Sequence, residues 1–239
     1  MLGTQTPERS AMPEPTPAPG ETKARRRAGR PMAAVLDQDG ITAAALELVS
    51  KKGYDGLTMA ALARSLGVAP SALYNHVSSK DEVLKLVEED LMSKVDFGGF
   101  RTLPWEEAVR QWAYSYRGIF ARHTPLISVI AVLPVTDAPQ TLAMYEAVTE
   151  GFLRAGFPEK QIIPSIVALE AYIFGAAFDA NAPADIFDSG RLADSTPHFT
   201  SAVRSLGPDQ NNYPSDLAFS MGLDALITGL GALRVDQSG

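Results

Sequence analysis

The chain has 239 residues, 46% hydrophobic and 21% charged, with 21 Lys and Arg against 28 Asp and Glu and no Cys. That mixture excludes wholesale disorder, which needs low hydrophobicity and high net charge. The missing thiols exclude disulfides, thiolate catalysis and thiolate-held zinc or iron–sulfur clusters. A net charge of −7 has the wrong sign for a chain built as one basic nucleic-acid surface.

No window reaches about 18 uncharged apolar residues, and the first residues lack the apolar core of a signal peptide. A cytoplasmic protein with no membrane partner is expected. The three His, His76, His123 and His198, are scattered along the chain, and neither a metal nor a cofactor is expected.

In chain order, residues 1–32 read as a disordered arm, with five Pro between Met12 and Pro31. The arm ends in Arg25-Arg26-Arg27-Ala28-Gly29-Arg30-Pro31. A helical block follows over 33–95, then a linker with paired Gly over 95–103, then a second helical block over 104–235. No sustained β alternation is present, so the fold class is all-α.

In the first block Ile41, Ala44, Ala45, Leu48 and Val49 make an amphipathic stripe. Lys51, Lys52 and Gly53 end it, as a basic last turn followed by a residue that tolerates positive φ. Thr58 is an expected N-cap for a short helix over Met59–Leu66. Gly67 ends that helix, and Pro70, which has no amide hydrogen to leave unpaired, opens a third helix to about Val77. Ser78-Ser79 break it, and Lys80 starts a long fourth helix carrying Val83, Leu84, Leu86, Val87 and Leu91.

Two short helices across a Gly-containing turn form a helix-turn-helix pattern. A DNA major groove about 12 Å wide admits one α-helix, and the first short helix can brace the second against the backbone. Ala60, Ala61 and Ala63 would allow close approach, over an inner core of Leu62, Leu66, Val68 and Leu73. Ser71 and Asn75 can bond base edges and Ala72 can meet a thymine methyl. Tyr74 and His76 are expected at phosphates, with Lys80 reaching the same backbone. Thr58 can serve as cap and phosphate contact together.

The run Gly53-Tyr54-Asp55-Gly56-Leu57-Thr58-Met59-Ala60-Ala61-Leu62-Ala63, with Leu66-Gly67-Val68-Ala69-Pro70-Ser71-Ala72-Leu73-Tyr74-Asn75-His76-Val77-Ser78-Ser79-Lys80, resembles the DNA-binding domain of the tetracycline-repressor (TetR) family. The likeness spans about Ile41–Leu86. It implies a homodimer with a three-helix helix-turn-helix DNA-binding domain and a C-terminal helical ligand-binding and dimerisation domain. It places Pro70, Ser71, Ala72, Tyr74 and Asn75 at bases, and Thr58, His76 and Lys80 at phosphates, of double-stranded operator DNA. Ala69, Ala72 and Val77 are smaller than the family pattern, and Asn75 holds a variable position, so the resemblance implies a reading face without an operator sequence. Beside such a domain, Arg26, Arg27 and Arg30 are expected in the adjacent minor groove.

In the second block Trp105, Val109, Trp112, Ala113, Tyr116, Ile119 and Phe120 form one stripe. Further helices are expected over 125–132, 141–153, 160–178 and 215–230. The polar stretch over 180–213 is too long for a tight turn and is expected to be a loop with a short helix. Segments 162–178 and 217–230 are apolar nearly all round and read as a four-helix dimer interface, with Gly175, Ala176, Ala177, Gly222 and Gly229 allowing close packing. Pro104–Leu153 and Phe219-x-x-Gly222-Leu223-Asp224-Ala225-Leu226 resemble the tetracycline-repressor C-terminal domain.

A pocket for a partly apolar small-molecule effector needs apolar walls and a few polar groups. Trp112, Tyr116, Phe120, Met144, Tyr145, Val148, Ile173 and Phe174 are candidate walls; Gln111, His123, Glu170 and Asp179 are candidate anchors. No His-plus-acid set matches the magnesium–drug grip of the tetracycline repressors. The expected function is therefore a ligand-responsive repressor and not an enzyme; the alternative is a helical protein-interaction module without specific DNA binding. Charge distribution accommodates the former: residues 1–95 hold 12 bases and 12 acids, whereas 96–239 hold 9 bases and 16 acids.

Overall fold

The computed structural model describes residues 36–183, 185–206 and 214–234. The arm, with Arg26, Arg27 and Arg30, lies outside the described residues. Among them there are ten α-helices and no strand.

Helix α1 (Gln38–Lys52) starts where the Asp37 carboxylate accepts the Gly40 amide at 2.8 Å. It ends at Gly53, whose φ of +70° lies in the region that favours glycine. Its buried residues Ile41, Ala45, Leu48 and Val49 follow the apolar stripe, with Ala44 half-buried. The Thr58 hydroxyl caps α2 (Met59–Ser65) by accepting the Ala61 amide at 3.1 Å. A Schellman motif closes α2: the Val68 amide reaches Ala63 O at 3.0 Å, the Gly67 amide reaches Arg64 O at 3.2 Å, and Gly67 has φ +67°.

Helix α3 spans only Pro70–Tyr74, shorter than the expected run to Val77. The Asn75 and His76 amides bond back three residues, to Ala72 and Leu73, so the last turn tightens. That turn drops Val77 into the core and frees Ser79 to cap α4 (Lys80–Met92). Ser79 Oγ accepts the Glu82 amide at 3.2 Å, while Glu82 accepts the Ser78 amide at 2.6 Å. This is a capping box with its return bond moved one residue outward. Leu62, Ala63, Leu73 and Val77 join α1 and α4 in the core; Leu66 and Val68 are half-buried. Ala60 is exposed and does not serve the close approach expected of it, because it faces away from α1 and α3.

The second block contains α5 (Trp105–Phe120), α6 (Thr124–Ile130), α7 (Pro139–Arg154), α8 (Glu159–Asp179), α9 (Pro197–Ser205) and α10 (Pro214–Gly231). Helix α5 is central, packing on α6, α7, α8 and α10 through one face from Trp105 to Phe120. The expected helix over 125–132 starts and ends earlier, and α9 supplies the short helix within the polar stretch. Helix α8 is long and apolar enough by composition to cross a membrane, yet it packs against α5, α6, α7 and α10. Arg117 pins three helices: it donates to Ala176 O at 3.2 Å, pairs with Asp216 at 2.7 Å and lies over the Phe219 ring. Gly222 and Ala177 are used within the chain. A side chain at Gly222 would collide with Tyr172, which stacks on Phe219 and donates to Ala218 O at 2.8 Å. Gly175 and Gly229 remain exposed.

The linker over 95–103 is anchored as well as connecting. Its 3-10 turn Gly98–Arg101 buries Phe100 edge-on to Trp112 and against Gly151 of α7. A second contact joins the blocks more directly. Helix α7 has no capping side chain of its own, and Glu89 of α4 supplies one: its carboxylate accepts the Gln140 amide at 2.7 Å, the Thr141 amide at 3.1 Å and the Thr141 hydroxyl at 3.0 Å. An anion at this end also meets the positive pole of the helix.

Candidate functional site

The prospective reading face is built from a short helix held on a buried foot. Leu73 is fully buried, Ala72 is half-buried, and Pro70, Ser71, Tyr74, Asn75 and His76 are exposed. Tyr74 is 52% exposed, so it is not a core aromatic. Thr58 is exposed at the start of α2 with its hydroxyl already accepting one amide, leaving its O–H free to donate outward. Lys80 is half-buried and tied within the chain: Nζ lies 3.6 Å from the centroid of Tyr54 and donates to Tyr54 O at 3.3 Å. It clamps the start of α4 to the α1–α2 turn.

The prospective sensor core is an aromatic cluster with a buried acid. Tyr116 packs against Trp112, Phe120 and Phe174 at centroid distances of 5.6, 5.2 and 5.4 Å. Trp112 Nε1 points at Met144 Sδ at 3.3 Å. Tyr145 donates to Glu170 at 2.9 Å and Tyr116 donates at 3.3 Å. Burial raises the Glu170 carboxyl to about 7, against the opposing pull of the two phenols. Burial, then the neighbouring Glu170, pushes the Tyr145 phenol well up, and that of Tyr116 likewise. Val148 and Ile173 are fully buried beside them.

The other expected anchors lie elsewhere. Gln111 is exposed and donates to Asp96 at 2.6 Å, and Asp179 is exposed. His123 precedes α6, where burial, then Arg122 and Lys94, lower its pKa. It sits by the end of α4; its backbone amide donates to Phe120 O at 2.9 Å, but among the described residues no side-chain hydrogen bond or ring contact joins its imidazole to the aromatic cluster. Among the described residues no group of three His, Asp or Glu is placed to hold a metal ion.

Glu88 and Glu89 are functional candidates that the sequence reading does not single out. Glu88 of α4 is 3% exposed, its Oε2 has no hydrogen-bond partner, and burial followed by Glu89 raises its carboxyl to about 7. A signal was available. Glu88 stands four residues after Leu84 and three before Leu91, both buried, as Glu170 stands between Ile166 and Ile173. An acid inside an apolar helical stripe marks a buried charge.

Residues 41–87 match the model of bacterial regulatory proteins of the tetR family, and 102–234 match that of the tetracyclin repressor-like C-terminal domain. The chain belongs to the TetR family. A transcriptional regulator of the helix-turn-helix type from Saccharopolyspora erythraea is 25% identical over 83% of this chain and 86% of its own. The class E tetracycline repressor protein of Escherichia coli is 24% identical over 82% of this chain and 92% of its own. ActR from Streptomyces coelicolor, solved in complex with actinorhodin, superimposes with a TM-score of 0.68 at 25% identity, covering 86% of this chain and all of that one. This TetR-family protein is thus a ligand-responsive transcriptional regulator that binds operator DNA and works as a dimer, and it is not an enzyme.

Proposed function

We propose that this regulator is a cytoplasmic repressor that reads its operator with α3 and lets go when an effector enters the aromatic core around Tyr116. The observation that carries this reading is the exposure of Ser71, Tyr74 and Asn75 on a helix whose neighbour Leu73 is fully buried. Pro70, Ser71, Ala72, Tyr74 and Asn75 face base edges, while Thr58 and His76 hold phosphates. Lys80 holds a phosphate too, or orders the reader through Tyr54. The Arg26, Arg27 and Arg30 side chains of the arm enter the flanking minor groove, where guanidinium groups suit the narrow, negative channel.

Two copies meet through α8 and α10. Ile163, Val167 and Phe178 of α8 and Leu217 and Met221 of α10 are all exposed in the single chain, and apolar surface on that scale favours a partner. A two-fold pairing there sets two α3 helices about 34 Å apart, one per successive major groove. The effector lies among Trp112, Tyr116, Phe120, Met144, Tyr145 and Phe174, and it shifts the population away from the DNA-competent spacing. His123, beside Lys94 and Arg122, lines the route from that core to α4.

A mobility shift on DNA upstream of the regulator's own gene tests the reading. Binding should weaken steeply as salt rises, since phosphate contacts release counterions. Binding that is absent, or indifferent to both salt and sequence, would sink it.

A further inference from the structure

Glu88 and Glu170 are two buried acids, on different helices, whose charges both act on the phenols of Tyr116 and Tyr145. Glu170 lies on α8 and is 9% exposed; Glu88 lies on α4 and is 3% exposed. Among the described residues no Lys, Arg or His forms an ion pair with either of them. Tyr116 and Tyr145 both donate to Glu170, and both also lie within electrostatic reach of Glu88.

Their circumstances differ. Two phenols satisfy Glu170, whereas Glu88 Oε2 is sealed from water with no donor to meet it. The Thr141 hydroxyl on α7 donates to Glu89 at 3.0 Å and also lies close enough to Glu88 to favour its charged form, but Oε2 keeps no donor of its own. Lys85, on the same helix, is the cation whose field reaches Glu88, and Glu89 opposes it. A buried acid with an empty acceptor is costly unless something supplies a positive hydrogen-bond donor.

We propose that the effector is an apolar ring compound carrying a protonated amine, with its ammonium between Glu88 and Glu170 and its ring against Trp112, Phe120 and Phe174. This rests on the reading that the effector enters the aromatic core. An anionic ligand would add a third negative charge to a site holding two acids, whereas an ammonium offers donors to Glu88 and Glu170 together. Glu88 also ties binding to output. It belongs to α4, the helix that follows the DNA reader, and its neighbour Glu89 caps α7. An ammonium that draws Glu88 inward therefore pulls on the helix whose first residue, Lys80, is clamped to Tyr54.

The test is calorimetric titration of the full chain at about pH 8, above the range in which either acid holds its proton. The three probes share one ring: 2-naphthylmethylamine, 2-naphthylmethanol and 2-naphthoate. The amine should bind at least about tenfold tighter than the alcohol, and the naphthoate weakest. Glu88→Gln and Glu170→Gln, nearly isosteric, should each bring the amine-to-alcohol ratio toward one. An amine no tighter than the alcohol, or a ratio unmoved by both variants, overturns the proposal. Should a variant lose its helical circular dichroism, the order of the probes on the wild type decides alone. A mobility shift on the same preparation separates the two readings. If the protein shifts its DNA and the amine is not preferred, only the charge of the effector is wrong. If it shifts no DNA, the repressor reading itself fails.

Discussion

Raising the pH from about 5 to about 8 should destabilise this protein, and Glu170→Gln should remove a large part of that response. Burial lifts the Glu170 carboxyl from 4.5 to about 7 in the folded chain. Between those values the folded state holds a proton that the unfolded state has released. Stability therefore falls as pH rises: the contribution is fully present below about 4.5 and lost above about 7. A rise of that size corresponds to about 3 kcal/mol, of which about 2.5 kcal/mol falls between pH 5 and pH 8. Glu88, also raised to about 7, works in the same direction in both proteins. His123, with its pKa lowered, works in the opposite direction, gaining stability as pH rises toward the ordinary histidine value. Comparing wild type with Glu170→Gln cancels both. Urea unfolding at the two pH values measures the difference. The wild type should lose about 2 kcal/mol more than the variant on going to pH 8. Parallel pH profiles would show that Glu170 keeps its charge when buried, and the reasoning would be wrong.

Four further outcomes follow from particular contacts. Glu89→Ala removes three hydrogen bonds at the start of α7 and should cost about 1–2 kcal/mol in urea unfolding, since it deletes a charged cap. Gly151→Ala drives a methyl into the buried Phe100 ring and should cost about 1–3 kcal/mol despite the better helix propensity of alanine. Tyr74→Ala should leave the melting temperature unchanged, because the ring is exposed, while lowering operator affinity about tenfold in a mobility shift. Lys80→Ala should lower stability by about 0.5–1 kcal/mol through its lost contact with Tyr54, and should weaken operator binding even where Tyr54 is intact.

Local order was legible because it rests on near neighbours in the chain. The α1 stripe, the Thr58 cap, the Gly67 turn and Pro70 at the head of α3 need only residues within a turn or two of one another. The same holds for the α5 stripe from Trp105 to Phe120, whose 3.6-residue period declares its buried face. The length of α3 was misread because its end depends on whether Val77 is drawn into a core shared with α1 and α4. The prospective reading face was legible for a related reason: once Leu73 is buried, helical geometry turns Ser71 and Tyr74 outward.

The sensor half shows the other side. Its aromatic candidates could be picked by type, but of four polar anchors only Glu170 bonds to the aromatic side chains, because Gln111 and Asp179 are exposed and His123 sits by the end of α4. The Glu89 cap and the Lys80–Tyr54 clamp depend on partners 52 and 26 residues away, and the burial of Glu88 depends on α7 packing against α4. By itself the sequence determined an all-helical chain, the position of its turns and the outward side of α3, since backbone hydrogen bonding, capping and periodicity are local. Only the tertiary structure decided which acids lose their water and which helix end a carboxylate caps. Charge and hydration depend on everything that packs around a group, and that packing is set by distant segments meeting in space.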